Sequence, residues 1–489
     1  MTVLYLVLGF LVPALFGFFL VSLLLPTRSG FGSWVLRLSL SWGVGTGCLS
    51  ILFFFWMVIF SGGSLLPWVE AVATLALGAV YYRSLGRGPS MTQRQDMAWD
   101  EHRAITIMAG GVFMFLLFSA IYVFVVNSAV LPHGRWDAWM IWSLRAKALY
   151  YFSDDWHKAF DPSYGWSHAG YPLLLPGSMA RVAIHYNKSF SPLIPILTGF
   201  LFTFSVPVLV FSFLYTLRGP TLACVAGAIL LSAQMICLQG SSLYADLPLA
   251  FFMLAATGSA AMALEGEGDQ TGTWALAGLC AGLAAWTKNE GMLFLVVIMT
   301  AVMAVSWYKR GFGRAWKRLA RMAIGVTAPV ITIAAFKIIL PAHNYLVSGN
   351  TPETVMAKIF DMDRHLFVIV GIIYEIAHYG GVGAAGVPIP APGLALIFLA
   401  AWGASERVWR REVILVMTLT ILAMLAGYIM VYIISPMGLH YQFTTTVARL
   451  LTHIWPLFVM LVMLAAKGNE GVAARGGDIN LLENGVADG

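Results

Sequence analysis

Apolar runs of about twenty residues follow one another along nearly the whole chain, separated by short turns. That length is what an α-helix needs to cross the roughly 30 Å hydrocarbon layer of a bilayer. On this rule about thirteen candidate spans can be drawn: residues 2–25, 38–60, 65–82, 104–130, 193–215, 220–237, 246–264, 272–287, 291–308, 322–341, 387–404, 413–434 and 450–466. Of the 489 residues, 59% are hydrophobic and only 11% charged, more apolar surface than a soluble fold of this length can bury. The chain is therefore expected to be an all-α polytopic integral membrane protein.

Orientation follows from the basic turns. Arg28 and Arg37 follow the first span; Arg83, Arg87, Arg94 and Arg103 separate the third from the fourth. Lys309, Arg310, Arg314, Lys317, Arg318 and Arg321 follow the ninth, and Arg407, Arg410 and Arg411 precede the twelfth. Placing all four clusters inside gives an outside N-terminus and an inside C-terminus. The longest loop, 131–192, then lies outside, as do 238–246, 288–290, 341–386 and 435–449. The acidic turn Glu265 to Asp269 falls inside with no positive charge of its own. Residues 366–380 are read as a helix lying at the outer interface. The first run is read as a retained span, and the Gly-rich tail 467–489 as disordered and cytoplasmic. Three parts result: N-terminal helices 1–103, a core 104–466 and the tail.

The net charge of +6 is accounted for by those turns, so no nucleic-acid partner is expected. Cys48, Cys224, Cys237 and Cys280 all lie in apolar segments and read as small hydrophobes. No direct or inverted repeat is visible, which argues against a secondary transporter.

Ionisable residues collect where spans meet the outer surface, a placement that is costly unless the groups are paired or functional. Loop 131–192 interleaves Arg135, Asp137, Arg145, Lys147, Asp154, Asp155, His157, Lys158, Asp161 and His168 with Trp136, Trp139, Trp142, Trp156 and Trp166. Asp137 lies just beyond a span end, where a carboxylate could take a proton from a hydroxyl; the alternative is an ion pair with Arg135 or Arg145. Residues 138–151 read as an amphipathic helix with Trp139, Trp142, Ala146 and Leu149 on one face and Arg145 and Lys147 elsewhere, suited to a lipid phosphate or a plain interface anchor. Asp154 and Asp155 could hold a divalent cation, Mg or Mn, or simply form a solvated turn.

His168 precedes Tyr171-Pro172-Leu173-Leu174-Leu175-Pro176, whose prolines stiffen the backbone; it could line a site or be a satisfied structural histidine. Asp246, in Tyr244-Ala245-Asp246-Leu247-Pro248, is either an N-cap or a second outer carboxylate. Lys288 and Glu290 share a turn too short to lie in lipid: a mutual ion pair, or Lys288 on a phosphate with Glu290 holding it. Arg449 opens the last span on the outer side, against positive-inside statistics, after a polar stretch containing His440. That misfit makes Arg449 the preferred phosphate ligand over a snorkelling arginine.

Trp136-Asp137-Ala138-Trp139, Arg145-Ala146-Lys147-Ala148, His168 and Tyr171 to Pro176 together resemble the first outer loop of bacterial GT-C glycosyltransferases. The branch they resemble includes protein mannosyltransferases and lipid A aminoarabinose transferases. Tyr244 to Pro248, the run Gly282 to Gly291, and the block from Tyr432 to Pro456 resemble that branch too, covering roughly 104–460. The resemblance implies a transferase moving a sugar from a polyprenyl-phosphate donor to a glycan, lipid or protein hydroxyl on the outer face of a bacterial inner membrane. It implies a catalytic carboxylate in the first large outer loop, and Asp137 is the matching position. Two departures are present: about three spans precede the match, and Ala138 follows Asp137 where mannosyltransferases carry a second acidic residue.

The expected reaction is an inverting transfer with Asp137 as base and Arg449, Lys288 and Arg145 on the donor phosphate. Asp246, His168, Glu290, Tyr171 and His440 would line the acceptor side or support the first set. The competing expectations are a transporter of lipid-linked sugars and a non-catalytic subunit of an envelope polysaccharide assembly.

Overall fold

The computed structural model describes residues 2–26, 30–85, 103–161, 163, 167–186, 189–340, 349–381, 390–406 and 408–467. The tail beyond 467, and with it the expectation of disorder, lies outside the described residues, as do Arg28, Arg87, Arg94, Trp166 and Arg407.

The helices are α1 (Thr2–Leu24), α2 (Phe31–Phe60), α3 (Leu66–Ser84), α4 (Arg103–Val130), α5 (Ser143–Tyr151), α6 (Leu174–Tyr186), α7 (Leu193–Arg218), α8 (Pro220–Ser232), α9 (Met235–Ser241), α10 (Asp246–Glu265), α11 (Thr271–Thr287), α12 (Asn289–Arg310), α13 (Phe312–Ile339), α14 (Pro352–Phe360), α15 (Met362–His378), α16 (Ala391–Trp402), α17 (Glu412–Ile434) and α18 (Leu439–Ala465). Among the described residues nine of these are long and apolar enough to cross a membrane, and ten if α8 and α9, bent by 65°, form one broken span. The chain is a polytopic helical membrane protein. The remaining expected spans correspond to α3, α11 and α16, which are helical over 19, 17 and 12 residues.

Helix α10 is the axis of the bundle: every side chain from Asp246 to Ala263 is buried. Helices α7, α11 and α18 pack around it, and α4 lies at the periphery with only four buried residues. Close approach is by small residues, since lipid offers no hydrophobic drive between helices. A Cβ on Gly17 would overlap the Ser41 carbonyl oxygen where α1 meets α2, and one on Gly278 would overlap that of Met322 where α11 meets α13.

The outer loop folds into the bundle more deeply than its composition suggests. A π-turn over Ala138–Trp142 leads into α5, and a 3₁₀ helix spans Ser153–Phe160. The π-turn moves Trp139 off the expected face of 138–151. Trp142, Ala146 and Leu149 are buried as expected, but Trp139 is 45% exposed and Arg145 is only 4% exposed. Helix α6 is buried along nearly its whole length. It sits against α1, α2 and α3 through Glu70, whose Oε2 accepts from Arg181 Nη1 and meets His185 Nε2, both at 2.7 Å. Arg181 also donates to the Gly9 carbonyl at 2.7 Å. The N-terminal helices thus share one core with the rest of the chain.

Candidate active site at one end of the bundle

Four separated segments meet where α10, α12 and α18 pass the loop that follows α4. Gly134, at φ +70°, turns that loop so tightly that a Cβ would press on the Ser242 carbonyl oxygen. Arg135 N–H donates to the same carbonyl at 3.2 Å. Opposite, Leu243 is held at φ +59°, a strained conformation for a γ-branched residue that leads directly into Tyr244, Ala245 and Asp246. The loop is pinned to the segment that carries Asp246, and Asp137 is carried toward it.

Arg449 joins the two carboxylates. Its Nη2 donates to Asp137 Oδ2 at 2.6 Å, and its Nε donates to Asp246 Oδ2 at 3.0 Å. Its guanidinium carbon lies 4.4 Å from the centre of the Tyr244 ring, a cation–π contact that fixes the plane of the fork. Lys288, extended at φ −158° between α11 and α12, donates to Asp246 Oδ1 at 2.9 Å and pairs with Glu290 Oε1 at 3.1 Å.

His453 completes the set from below. Its Nε2 meets Asp246 Oδ1 at 2.7 Å and its Nδ1 meets the Tyr428 hydroxyl at 3.1 Å. A carboxylate only accepts, so Nε2 carries the proton and Tyr428 donates to Nδ1. Asp246 is fully buried and bound by three cationic or donor groups, whereas the Asp137 side chain keeps 20% of its surface. Asp246 is therefore the organising anion and Asp137 the carboxylate that remains partly exposed. Glu290 Oε2 is buried without a partner among the described residues, an acceptor still open to a hydroxyl.

His168 is held at φ +51°, its ring 5.4 Å from that of Tyr171, which in turn lies 5.3 Å from Trp142. Partial loss of water lowers the His168 pKa, with the Asp137 charge acting against it. Burial raises the Tyr171 pKa, so it is a neutral hydroxyl. Burial alone would neutralise Lys288; Asp246 and Glu290 outweigh that, and its pKa stands above the ordinary lysine value.

Asp137, Arg449, Asp246, Lys288 and Glu290 are thus brought together, with His168 and Tyr171 beside them. The other expected residues are elsewhere. Arg145 is engaged inside the loop: Nη1 donates to the Ala159 carbonyl, Nη2 to Ser167 Oγ at 2.7 Å, and its guanidinium carbon lies 4.5 Å from the centre of the Phe160 ring. Burial pushes its pKa down to about 10, so it remains charged, but its donors serve the loop and not a ligand. His440 is exposed at the start of α18, outside the cluster. Asp154 and Asp155 are exposed, and Asp155 is paired with Lys158 at 3.2 Å. Among the described residues no group of three or more His, Cys, Asp or Glu is placed to hold a metal ion.

His453 and Tyr428 were not expected from sequence. Each sits inside an apolar run, where an ionisable group is costly unless paired; that cost was the available signal. Comparison with family models, curated proteins and solved structures finds no match to this chain.

Proposed function

We propose that this protein is a GT-C-type glycosyltransferase that moves a sugar from a polyprenyl-phosphate donor to a hydroxyl of a glycan, lipid or protein at the outer face of a bacterial inner membrane. The observation that carries this reading is the bridge from Asp137 through Arg449 to Asp246: a partly exposed carboxylate held by a guanidinium that also binds a buried counter-anion. In this reading α3, α11, α16 and the bent α8–α9 pair complete thirteen crossings, and the bridge faces outward.

The acceptor oxygen attacks the anomeric carbon from the face opposite the phosphate. Its proton passes to Asp137, the C–O bond to phosphate breaks, and the electron pair leaves on the phosphate oxygen, with inversion. Arg449 and Lys288 stabilise that charge. In the structure both cations are held by carboxylates, and this suggests a coupling. A donor phosphate that takes Nη2 of Arg449 displaces Asp137, whose carboxylate is then free to accept the proton of the acceptor hydroxyl. Asp246 keeps Arg449 and Lys288 charged and correctly aimed throughout.

The test is incubation of purified protein with a labelled polyprenyl-phosphate sugar panel. Release of polyprenyl phosphate only when an acceptor is present supports the transferase. Movement of intact donor across a vesicle membrane without release favours a transporter, and inactivity of both kinds favours a non-catalytic subunit.

A further inference from the structure

Helix α10 begins at Asp246, in the site just described, and ends at Glu265. Twenty helical residues rise about 30 Å, the thickness of one hydrocarbon layer. Glu265 therefore marks the opposite end of the bundle, and there the ionisable groups form a second assembly. Glu265 is held by Arg411 and, at 3.5 Å, by Arg218. Glu412 is held by Arg310 and Arg318. The acidic turn that lacked a cation of its own takes its partners from the ends of other helices, Asp269 included, which pairs with Arg321 at 3.3 Å.

Between these pairs lies a cavity of about 200 Å³ lined by Glu265, Arg310, Arg410, Arg411 and Glu412. Its lining carries three arginines against two glutamates, and each glutamate also binds an arginine outside the lining, Glu265 with Arg218 and Glu412 with Arg318. Arg310 lines the cavity, gives Glu412 only its Nε, and its side chain keeps 52% of its surface, so its two Nη groups are not held by Glu412. Arg410 is exposed on the 3₁₀ turn Val408–Arg410 and has no partner among the described residues. The N-terminus of α17 opens on the same cavity without a side-chain cap, adding donors and a favourable dipole. Trp409, 63% exposed beside Arg410, is a residue type that settles at the headgroup level.

We propose that this cavity binds a phosphate group, presented by an anionic phospholipid of the leaflet opposite the active site, with Arg410 and Arg310 as its ligands. A cavity of this size holds one phosphate with several waters, each taking about 30 Å³. The arginine fork suits phosphate oxygens, and the excess charge selects an anionic over a zwitterionic lipid. The cavity is built from the ends of α10, α12 and α17, so its occupant would brace the same helices that carry the active site at their other ends. The proposal is independent of which reaction that site performs.

The test uses the full chain in detergent, titrated separately with phosphatidylglycerol, phosphatidylcholine and inorganic phosphate, with bound species counted by native mass spectrometry. Phosphatidylglycerol is retained in preference to phosphatidylcholine, and Arg410→Ala weakens that retention roughly tenfold, the loss of a charge-assisted fork. Arg410 holds no other residue, so the variant tests the site and not folding; Lys158→Ala, at the far end of the bundle, leaves retention unchanged. Retention of inorganic phosphate that is lost in Arg410→Ala, without lipid preference, supports the phosphate site and assigns it a free ion. Equal retention of both lipids with no phosphate bound, or retention indifferent to Arg410→Ala, overturns the proposal.

Discussion

Arg449 donates to Asp137 at 2.6 Å across 312 positions of chain, and the same guanidinium holds Asp246. One cation therefore ties the partly exposed carboxylate to the buried one, and the three residues are expected to respond differently to substitution.

Asp246→Ala leaves Arg449, Lys288 and His453 around an empty position in a buried environment. Removing one partner of a buried pair costs about 3–5 kcal/mol, because the charge left behind is uncompensated. Thermal unfolding of the purified variant should show a large drop, while Asp137→Asn, at the partly exposed end of the bridge, should lie close to wild type. Equal losses for the two would contradict the division into organising and working carboxylates.

Lys288 supplies a test in pH. Its native pKa stands above the ordinary 10.5, so the stability it contributes is complete below that value and is lost only as pH rises through the higher native one. Lys288→Gln should therefore lower the unfolding temperature by the same amount at about pH 6 and about pH 9. A deficit that shrinks at the higher pH would mean that the native lysine is already losing its proton there.

Arg145 is a loop residue in this account. Arg145→Lys keeps the charge but cannot serve the Ala159 carbonyl and Ser167 together, and it loses the planar contact with Phe160. Limited proteolysis within 131–192 should accelerate, while the KM for the donor changes less than about threefold if correctly folded protein is compared. Arg449→Lys should do the reverse: an intact loop and turnover lowered by roughly 10²-fold, as for loss of one preorganised charge-stabilising donor. A raised donor KM in Arg145→Lys with an intact loop would restore Arg145 to the phosphate site.

How much of this was legible in the chain depends on where each residue lies. The helical membrane architecture could be read from run length alone, because hydrocarbon admits few alternatives to a helix. Asp137 and Arg449 were singled out as charges at span ends, and the structure places them in contact. The pairing of Lys288 with Glu290 was read from their shared turn, but that Arg449 and Lys288 would both converge on Asp246 was not readable, since pairing across 203 or 42 positions leaves no local pattern. Arg145 was misplaced because a charge was assumed to turn away from the apolar face, although it lies three residues after Trp142 and four before Leu149 on α5; its partners Ala159, Phe160 and Ser167, 14 to 22 positions on, leave no local pattern. Glu70 lies inside the apolar run 65–82 and was not singled out, although a carboxylate there is costly unless paired. Its partners were hidden, because Arg181 and His185 belong to a stretch whose polarity suggested an outer loop.

The most direct measurement is sugar transfer by wild type and Asp137→Asn in the same detergent, with a labelled polyprenyl-phosphate sugar and its hydroxyl acceptor. Wild type should release polyprenyl phosphate only with acceptor present, and Asp137→Asn should be slower by roughly 10²–10⁴-fold, the range for loss of a general base, at an unchanged unfolding temperature. Transfer by the folded variant at the wild-type rate would contradict the assignment of Asp137 as the base and, with it, the reading of this cluster as a transferase site.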